Sequence, residues 1–590
     1  MKLYAFLIAA LFVSIVNPTL LCAEETPMQF EERTAWWQQS RFGLLVILGP
    51  FSVAADARDL EGNLTRFPEI FWFNKQIPLE QYVRLAQRFS PTNFNAAQWV
   101  REFKQAGAEY VVLPAKSFDG FSMYDTKLSD FSIVRASPFK RDFLREMTDE
   151  CRKQGLRVGL FYTMLDAHHP DYLPRQPWDT RSTDRASMSN YISFVKGQLR
   201  ELLTQYGHIS FLFFEGAFLD AEELRCAEIN QLVRELQPHL VINNGNKLPE
   251  DLMTLEEFMD GRSIPTTRLW ARGIPFNDAW AYATNAVKWQ PIPTLLRLVS
   301  QTVADGGHVY FGIGAKPDGS IPSETLERLR TVGAWMKRHD VIFNRPGKNP
   351  FRKLHFEGTC SMRGNSLILH VFDWPAKGIT LHGLQNEIIS AKIIDTGEDL
   401  KLSRTSKSEL DNAIFTTILP PKRKDAFVTV AELQLQSPVN VIDTDAERPD
   451  KDGVLVLNAK DAEANAPNGF PEFRYSPTRD CIEGWTQWNH EAGWYCAFPE
   501  AAVYSVKLVY SSTNKVSNTA VFGDEANTLE ASIKPTSSRD SFGTLDLGQI
   551  PFAAGRQRLS LRPSQIEKDT SLMDLRQVRL TFVRKSALDK

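Results

Sequence analysis

Between residues 43 and 244 the chain repeats one unit, a short run that is apolar on both faces followed by a longer amphipathic stretch. The runs are Gly43–Leu48, Tyr110–Pro114, Arg157–Tyr162, Ser210–Glu215 and Leu240–Asn244. Helices are predicted between them over 79–89, 96–106, 141–154, 191–206 and 226–237, with Gly107, Gly155 and Gly207 at three of the stops. A strand apolar on both faces must be covered on both, which means a parallel sheet wrapped in helices. Five such units predict an α/β fold of the (β/α)8 TIM-like barrel type. An open dinucleotide-binding sheet fits less well, because no Gly-rich phosphate fingerprint follows the first strand. Barrel chemistry sits at the C-terminal ends of strands. That rule alone selects Gly49-Pro50, Ala115–Asp119, Tyr162-Thr163, Glu215 and Asn243-Asn244.

At 590 residues the chain is too long for one core. Beyond residue 345 the long helical stretches stop, and Ser366–Phe372 and Ile388–Asp395 read as strands. Residues 350–438 are expected to form an all-β sandwich, 443–452 a polar linker, and 453–586 a second, jelly-roll-like carbohydrate-binding-type sandwich. Residues 30–345 are left for the barrel. The N-terminus reads as a secretory signal: Lys2, an apolar run over Leu3–Val16, and a cleavage point near Ala23. No later segment is long and apolar enough to span a membrane, so a secreted or periplasmic protein is expected. Five cysteines follow (Cys151, Cys226, Cys360, Cys481 and Cys496) without CxxC spacing or a Cys/His cluster, so no metal or other cofactor is expected. Cys481 and Cys496 are close enough to bridge, with buried thiols the alternative. Lys plus Arg number 68 against 71 for Asp plus Glu, with the signs interspersed, which removes the electrostatic footprint of a nucleic-acid partner. The 13 Trp, 38 Phe and 14 Tyr suit either large β-rich cores or stacking on sugar rings.

These segments carry a resemblance. Arg41-Phe42-Gly43 with Gly49-Pro50-Phe51-Ser52, Lys116 with Asp119-Gly120-Phe121, Pro138–Asp142, Leu165-Asp166 with His168–Tyr172, Gln198–Leu203, Ile242–Asn244 and Asp318–Pro322 occur in order and at natural spacing. Together they resemble the α-L-fucosidases of glycoside hydrolase family 29. The resemblance implies a retaining glycosidase acting on a glycan, with Glu215 at the position of the nucleophilic Asp. Trp72 matches the pocket-edge Trp, and Lys116, Tyr162, His168 and His169 fall on the mouth and its loops as candidate substrate contacts.

The chain also departs from the family pattern. Ile47-Leu48 stands where the family has His-Trp, Ser117-Phe118 replaces the sugar-binding His pair, Phe71 replaces the Glu of Glu-Trp-Tyr, Gly245 replaces the Arg after Asn-Asn, and Ala271 follows Trp270 in place of Glu. These changes remove hydrogen-bonding groups that would grip fucose, so an altered sugar specificity is expected. A retaining hydrolase needs a second carboxyl, and Glu256, Glu257, Asp260 and Asp278 are the candidates near strand ends. The rival reading is a catalytically inactive glycan-binding protein on the same scaffold, with recognition at the aromatic mouth or the C-terminal sandwich; for Glu215 itself the alternative to a catalytic or binding role is a structural ion pair with Lys116. In the last segment Trp485, Trp488, Trp494 and Tyr495 are either a carbohydrate platform or sandwich core.

Overall fold

A computed structural model describes residues 25–586 apart from 217–218, 257–268, 344–346, 407–412, 466–472, 517 and 568–569. Eight strands build the first sheet: β1 (Gly43–Ile47), β2 (Tyr110–Lys116), β3 (Arg157–Thr163), β4 (Phe211–Glu215), β5 (Val241–Ile242), β6 (Leu252–Glu256), β7 (Leu269–Pro275) and β8 (His308–Gly314). Their order is β5-β4-β3-β2-β1-β8-β7-β6, and every pairing is parallel. One parallel bridge between Asn243 and Leu252 closes the seam, which makes the sheet a (β/α)8-type barrel.

Local chemistry sets the helix ends. The Asn95 side chain caps α1 (Ala96–Gln105) and Asp142 caps α2 (Phe143–Gln154), each carboxyl or amide oxygen accepting from the backbone N–H three residues on. The second helix therefore starts at Phe143 and not at Arg141, because Asp142 is spent on the cap. Gly155 stops it in the left-handed conformation. The remaining long barrel helices are α3 (Met188–Gln205), α4 (Cys226–Leu236), α5 (Ile292–Ala304) and α6 (Ser323–Arg338).

A further helix, Pro27–Gln38, plugs the N-terminal end of the barrel. Its Trp37 lies 4.6 Å from His308, and His308 stacks on Tyr110 at 5.8 Å. Tyr110 fits only because Gly43, beside it in the sheet, has no side chain: a Cβ there would sit 2.0 Å from the ring.

Past Arg338 the described residues contain no α-helix. A four-stranded and a three-stranded antiparallel sheet form the first sandwich, and a six-stranded and a five-stranded sheet form the second. The first sandwich is anchored on the barrel. Ile368, Val428 and Val430 join the barrel's hydrophobic cluster, Trp335 Nε1 donates to the Val428 carbonyl (3.3 Å), and His339 meets Asp395 at 2.9 Å. In the second sandwich Trp485 and Trp494 are core, each indole N–H satisfied by a backbone carbonyl, whereas Trp488 is 73 % exposed. The five cysteines among the described residues are free and buried, so Cys481 and Cys496 are thiols.

Burial among aromatic rings pushes the His308 imidazole down to about 3. The unfolded chain takes up this proton below about pH 6.5 and the folded protein refuses it until about pH 3. Stability therefore falls as pH falls through that window, by up to about 1.4 kcal/mol per pH unit. His308→Phe keeps the aromatic stack and removes the proton site. Urea unfolding of the barrel should lose less stability between pH 6 and pH 4 in this variant than in the parent. Identical pH slopes would show that His308 is not held neutral.

Candidate active site

Glu215 is the last residue of β4 and lies in register with Thr163 of β3, where the Met164 N–H donates to the Glu215 carbonyl (2.8 Å). On the other side β5 is only two residues long, so its backbone ladder cannot hold the end of β4. The buried Asn243 amide does so instead. Its Oδ1 accepts from the Phe214 N–H (2.7 Å), and its Nδ2 donates to the Phe214 carbonyl (3.0 Å) and to Thr254 Oγ1 (3.2 Å). The chain then doubles back against the same carbonyl, and a Cβ on Gly245 would lie 1.8 Å from the Phe214 oxygen. This backbone has no room for the arginine that family members carry after Asn-Asn.

The Glu215 side chain faces a cavity of about 110 Å³ at the C-terminal mouth of the barrel. Ile47, Leu48, Phe118, Phe161 and Phe213 give it an apolar wall, with Ser117 and Tyr310 adding hydroxyls. Trp280, which follows β7, folds back over the mouth. It can do so because Gly273 and Gly312 leave space: a Cβ on either would come within 2.5 or 2.7 Å of the indole.

A second carboxylate, Glu69, lines the same cavity. It is 8 % exposed and comes from the single turn Pro68–Ile70 in the long β1–β2 connection. That connection is tied to the segment after β7. Trp280 N–H donates to the Arg66 carbonyl (2.9 Å) and Thr284 N–H to the Ala55 carbonyl (2.8 Å), while Asn285 bonds both the Ala57 N–H (2.9 Å) and Asp56 (2.6 Å). Close packing of Ala57, Ala279, Ala283 and Ala286 seals the contact. Two carboxylates delivered by independent elements to one largely apolar cavity can divide the labour of nucleophile and proton donor.

The other sequence candidates sit elsewhere. Lys116 is fully buried behind the mouth, 3.3 Å from Asp166 and 3.1 Å from the Tyr191 hydroxyl, and over the Tyr162 ring. It does not pair with Glu215. Burial lowers its pKa, with Asp166 opposing. Tyr162 is equally buried and donates to Gln198 (2.8 Å). Asp166 Oδ1 accepts the N–H groups of His168 (3.1 Å) and His169 (2.8 Å), so it shapes their loop. His168 then stacks on Phe131 at 4.2 Å, His169 packs on Phe194 at 4.4 Å, and burial lowers both pKa values.

Asp119 accepts from Tyr82 (2.6 Å) and is pushed up to about 6 by burial. Trp72 is buried against Trp178 and lines a small neighbouring hollow with Tyr82 and Asp119. None of Trp72, Lys116, Tyr162, His168 or His169 lines the Glu215 cavity, and Lys116 and Tyr162 are fully buried behind it.

Among the acid/base candidates, Glu257 and Asp260 fall outside the described residues, Glu256 is the last residue of β6, and Asp278 does not line the cavity. Sequence reasoning passed over Glu69. Its one signal was a lone acid inside Phe67-Pro68-Glu69-Ile70-Phe71-Trp72-Phe73.

The burial of Lys116 gives a direct test of this placement. Lys116→Met leaves Asp166 buried without its cation and should destabilise the barrel by about 3 kcal/mol in chemical denaturation. A lysine in contact with substrate would instead raise KM and leave the unfolding midpoint unchanged.

Comparison with known proteins places the chain by family and fold. The alpha-L-fucosidase family model matches residues 20–340. Human plasma alpha-L-fucosidase is 24 % identical over 341 residues, covering 51 % of this chain and 67 % of its own. The alpha-L-fucosidase from Vibrio sp. strain EJY3 superimposes with a TM-score of 0.65 at 23 % identity, over 93 % of this chain and 98 % of that one. Isoenzyme 1 from Paenibacillus thiaminolyticus gives 0.61 at 27 % identity, over 69 % of this chain and 100 % of its own. With more than half of its length matched by the family model, the chain belongs to the alpha-L-fucosidase family of glycoside hydrolases.

Proposed function

We propose that the protein cleaves a terminal glycosidic bond with retention of configuration, Glu215 acting as nucleophile and Glu69 as acid/base. The observation that carries this reading is the presence of both carboxylates on one cavity at the C-terminal ends of the barrel strands. A Glu215 oxygen attacks the anomeric carbon as the bond to the leaving oxygen breaks, and that oxygen takes the proton from Glu69. Water then attacks the glycosyl-enzyme, Glu69 accepts its proton, and Glu215 is released as carboxylate.

The substrate class is a glycan ending in a deoxy sugar. The relatives are named for fucose, a 6-deoxy sugar, and a wall of Ile47, Leu48 and Phe118 accepts a methyl group or a ring face but pairs with no hydroxyl. Specificity then rests on shape more than on hydrogen bonds, and discrimination between related sugars should be modest. The protein is exported, with residues 1–23 removed as a signal peptide.

The same apolar wall favours a second reading, a glycan-binding protein that no longer turns over. Kinetics on a panel of aryl glycosides that includes α-L-fucosides separates the two. Glu215→Gln should lose about 10³-fold or more in kcat for every leaving group. Glu69→Gln should lose about 10²–10⁴-fold on a poor leaving group and far less on dinitrophenolate, which needs no proton. Sugar binding without turnover in the parent protein would establish the binder. Loss of activity in Glu69→Gln independent of the leaving group would remove the acid/base assignment.

A further inference from the structure

A second hollow, an open groove of about 550 Å³, crosses the opposite face of the barrel, where β2, β3 and β4 begin. Arg41, Lys104, Arg152 and Arg157 line it against a single carboxylate, Glu109. The local reason for the bases is plain: the helices run antiparallel to the strands and expose their C-terminal carbonyls here, which attract cations. Lys104 donates to the Gln154 carbonyl and Arg152 to the Tyr206 carbonyl (2.7 Å).

These bonds hold the cations in place without neutralising them all. Arg41 is paired with Glu109 (2.8 Å) and Asp340 (2.7 Å), and Arg152 with Asp149. Among the described residues Lys104 and Arg157 have no carboxylate partner, and Arg157 rests on the Trp36 ring at 5.0 Å. Ser210 also lines the groove, and its buried hydroxyl has no hydrogen-bond partner among the described residues. At the edge His208 stacks on His239 at 3.9 Å. Burial lowers both imidazole pKa values, and the neighbouring His239 and Arg157 lower that of His208 further.

We propose that this groove binds an oxyanion borne by a glycan, a sulfate ester or carboxylate, held by Lys104 and Arg157 with Arg152 and Ser210 beside them. The formal charge of the chain is −3, with the two signs interspersed along the sequence, which is not the strongly basic composition that a nucleic-acid partner favours. Because the groove and the Glu215 cavity are at opposite ends of the barrel, one polymer can be held at the back while a chain end occupies the mouth. The glycan as carrier rests on the hydrolase reading given above; the oxyanion site itself does not.

The test is calorimetric titration of the whole protein with inorganic sulfate, a sulfated oligosaccharide and its unsulfated counterpart, at low and at physiological salt. The expected result is saturable binding of the sulfated oligosaccharide, weakened by salt, and about tenfold weaker in Arg157→Ala and in Lys104→Ala. NMR of labelled histidines should show the His208 pKa rising on binding. Hydrolysis of a small aryl glycoside should be the same in the two variants as in the parent, because neither residue is near the mouth. Equal affinity for the unsulfated oligosaccharide, or variants that bind as the parent does, would overturn the site. Binding of inorganic sulfate with no gain for the sulfated oligosaccharide would overturn the glycan carrier, whatever the outcome of the hydrolysis assay.

Discussion

The barrel closes through two asparagines, Asn243 and Asn244, whose side chains both bond Thr254 of β6 while the Asn244 N–H donates to the Leu252 carbonyl (3.0 Å). Between β5 and β6 the backbone supplies a single bridge, at Asn243, and the side chain of that same residue satisfies both the N–H and the carbonyl of Phe214. A buried backbone pair left open would cost several kcal/mol, so the seam and the end of β4 stand or fall together. Glu215 follows Phe214 directly, and its direction into the cavity is inherited from that pair of bonds. The close return of the chain at Gly245 comes from the same geometry. A family position that elsewhere carries an arginine is here a close backbone contact.

Around this fixed point the mouth is built with an apolar face and a polar back. The face toward the cavity is Ile47, Leu48, Phe118 and Trp280. Behind it lies a buried network in which Lys116, Asp166, Tyr191 and Met164 are linked by side-chain bonds, with Asp119 and Tyr82 alongside. Gly120 belongs to that network as well: a Cβ there would stand 2.0 Å from Asp166 Oδ1, so the Asp-Gly pair is required by the closeness of the carboxylate. Charges that in the sequence look like substrate contacts are consumed in holding two loops to the strand ends. Among the described residues the cavity is lined by two carboxylates, Glu69 and Glu215, and by the hydroxyls of Ser117 and Tyr310.

The first five strands were legible because their residues are apolar on both faces and their helices end at glycines, a pattern that depends only on neighbours in sequence. The later strands were harder to see. β6 reads Leu-Met-Thr-Leu-Glu with no helix between it and β5, and β8 is interrupted by Gly312 and Gly314, which make room for Trp280 and its neighbours. Glu215 could be found from the rule that barrel chemistry sits at strand ends. Glu69 could not, since its place is set by hydrogen bonds to residues 280–285, more than 200 positions away along the chain. Trp72 and Lys116 lie off that cavity, and adjacency in sequence says nothing about which side of the strand wall a long side chain occupies.

The claim that Glu215 is the reacting carboxylate is tested most directly by trapping. A 2-deoxy-2-fluoro-α-L-fucosyl fluoride slows both steps by destabilising the positively charged transition state, while its good leaving group lets the first step proceed. Mass spectrometry of the peptides after incubation should find one added fluoroglycosyl group, on Glu215, and none in Glu215→Gln. A label on any other residue, or a protein that turns over the parent fucoside and acquires no label at all, would contradict the account.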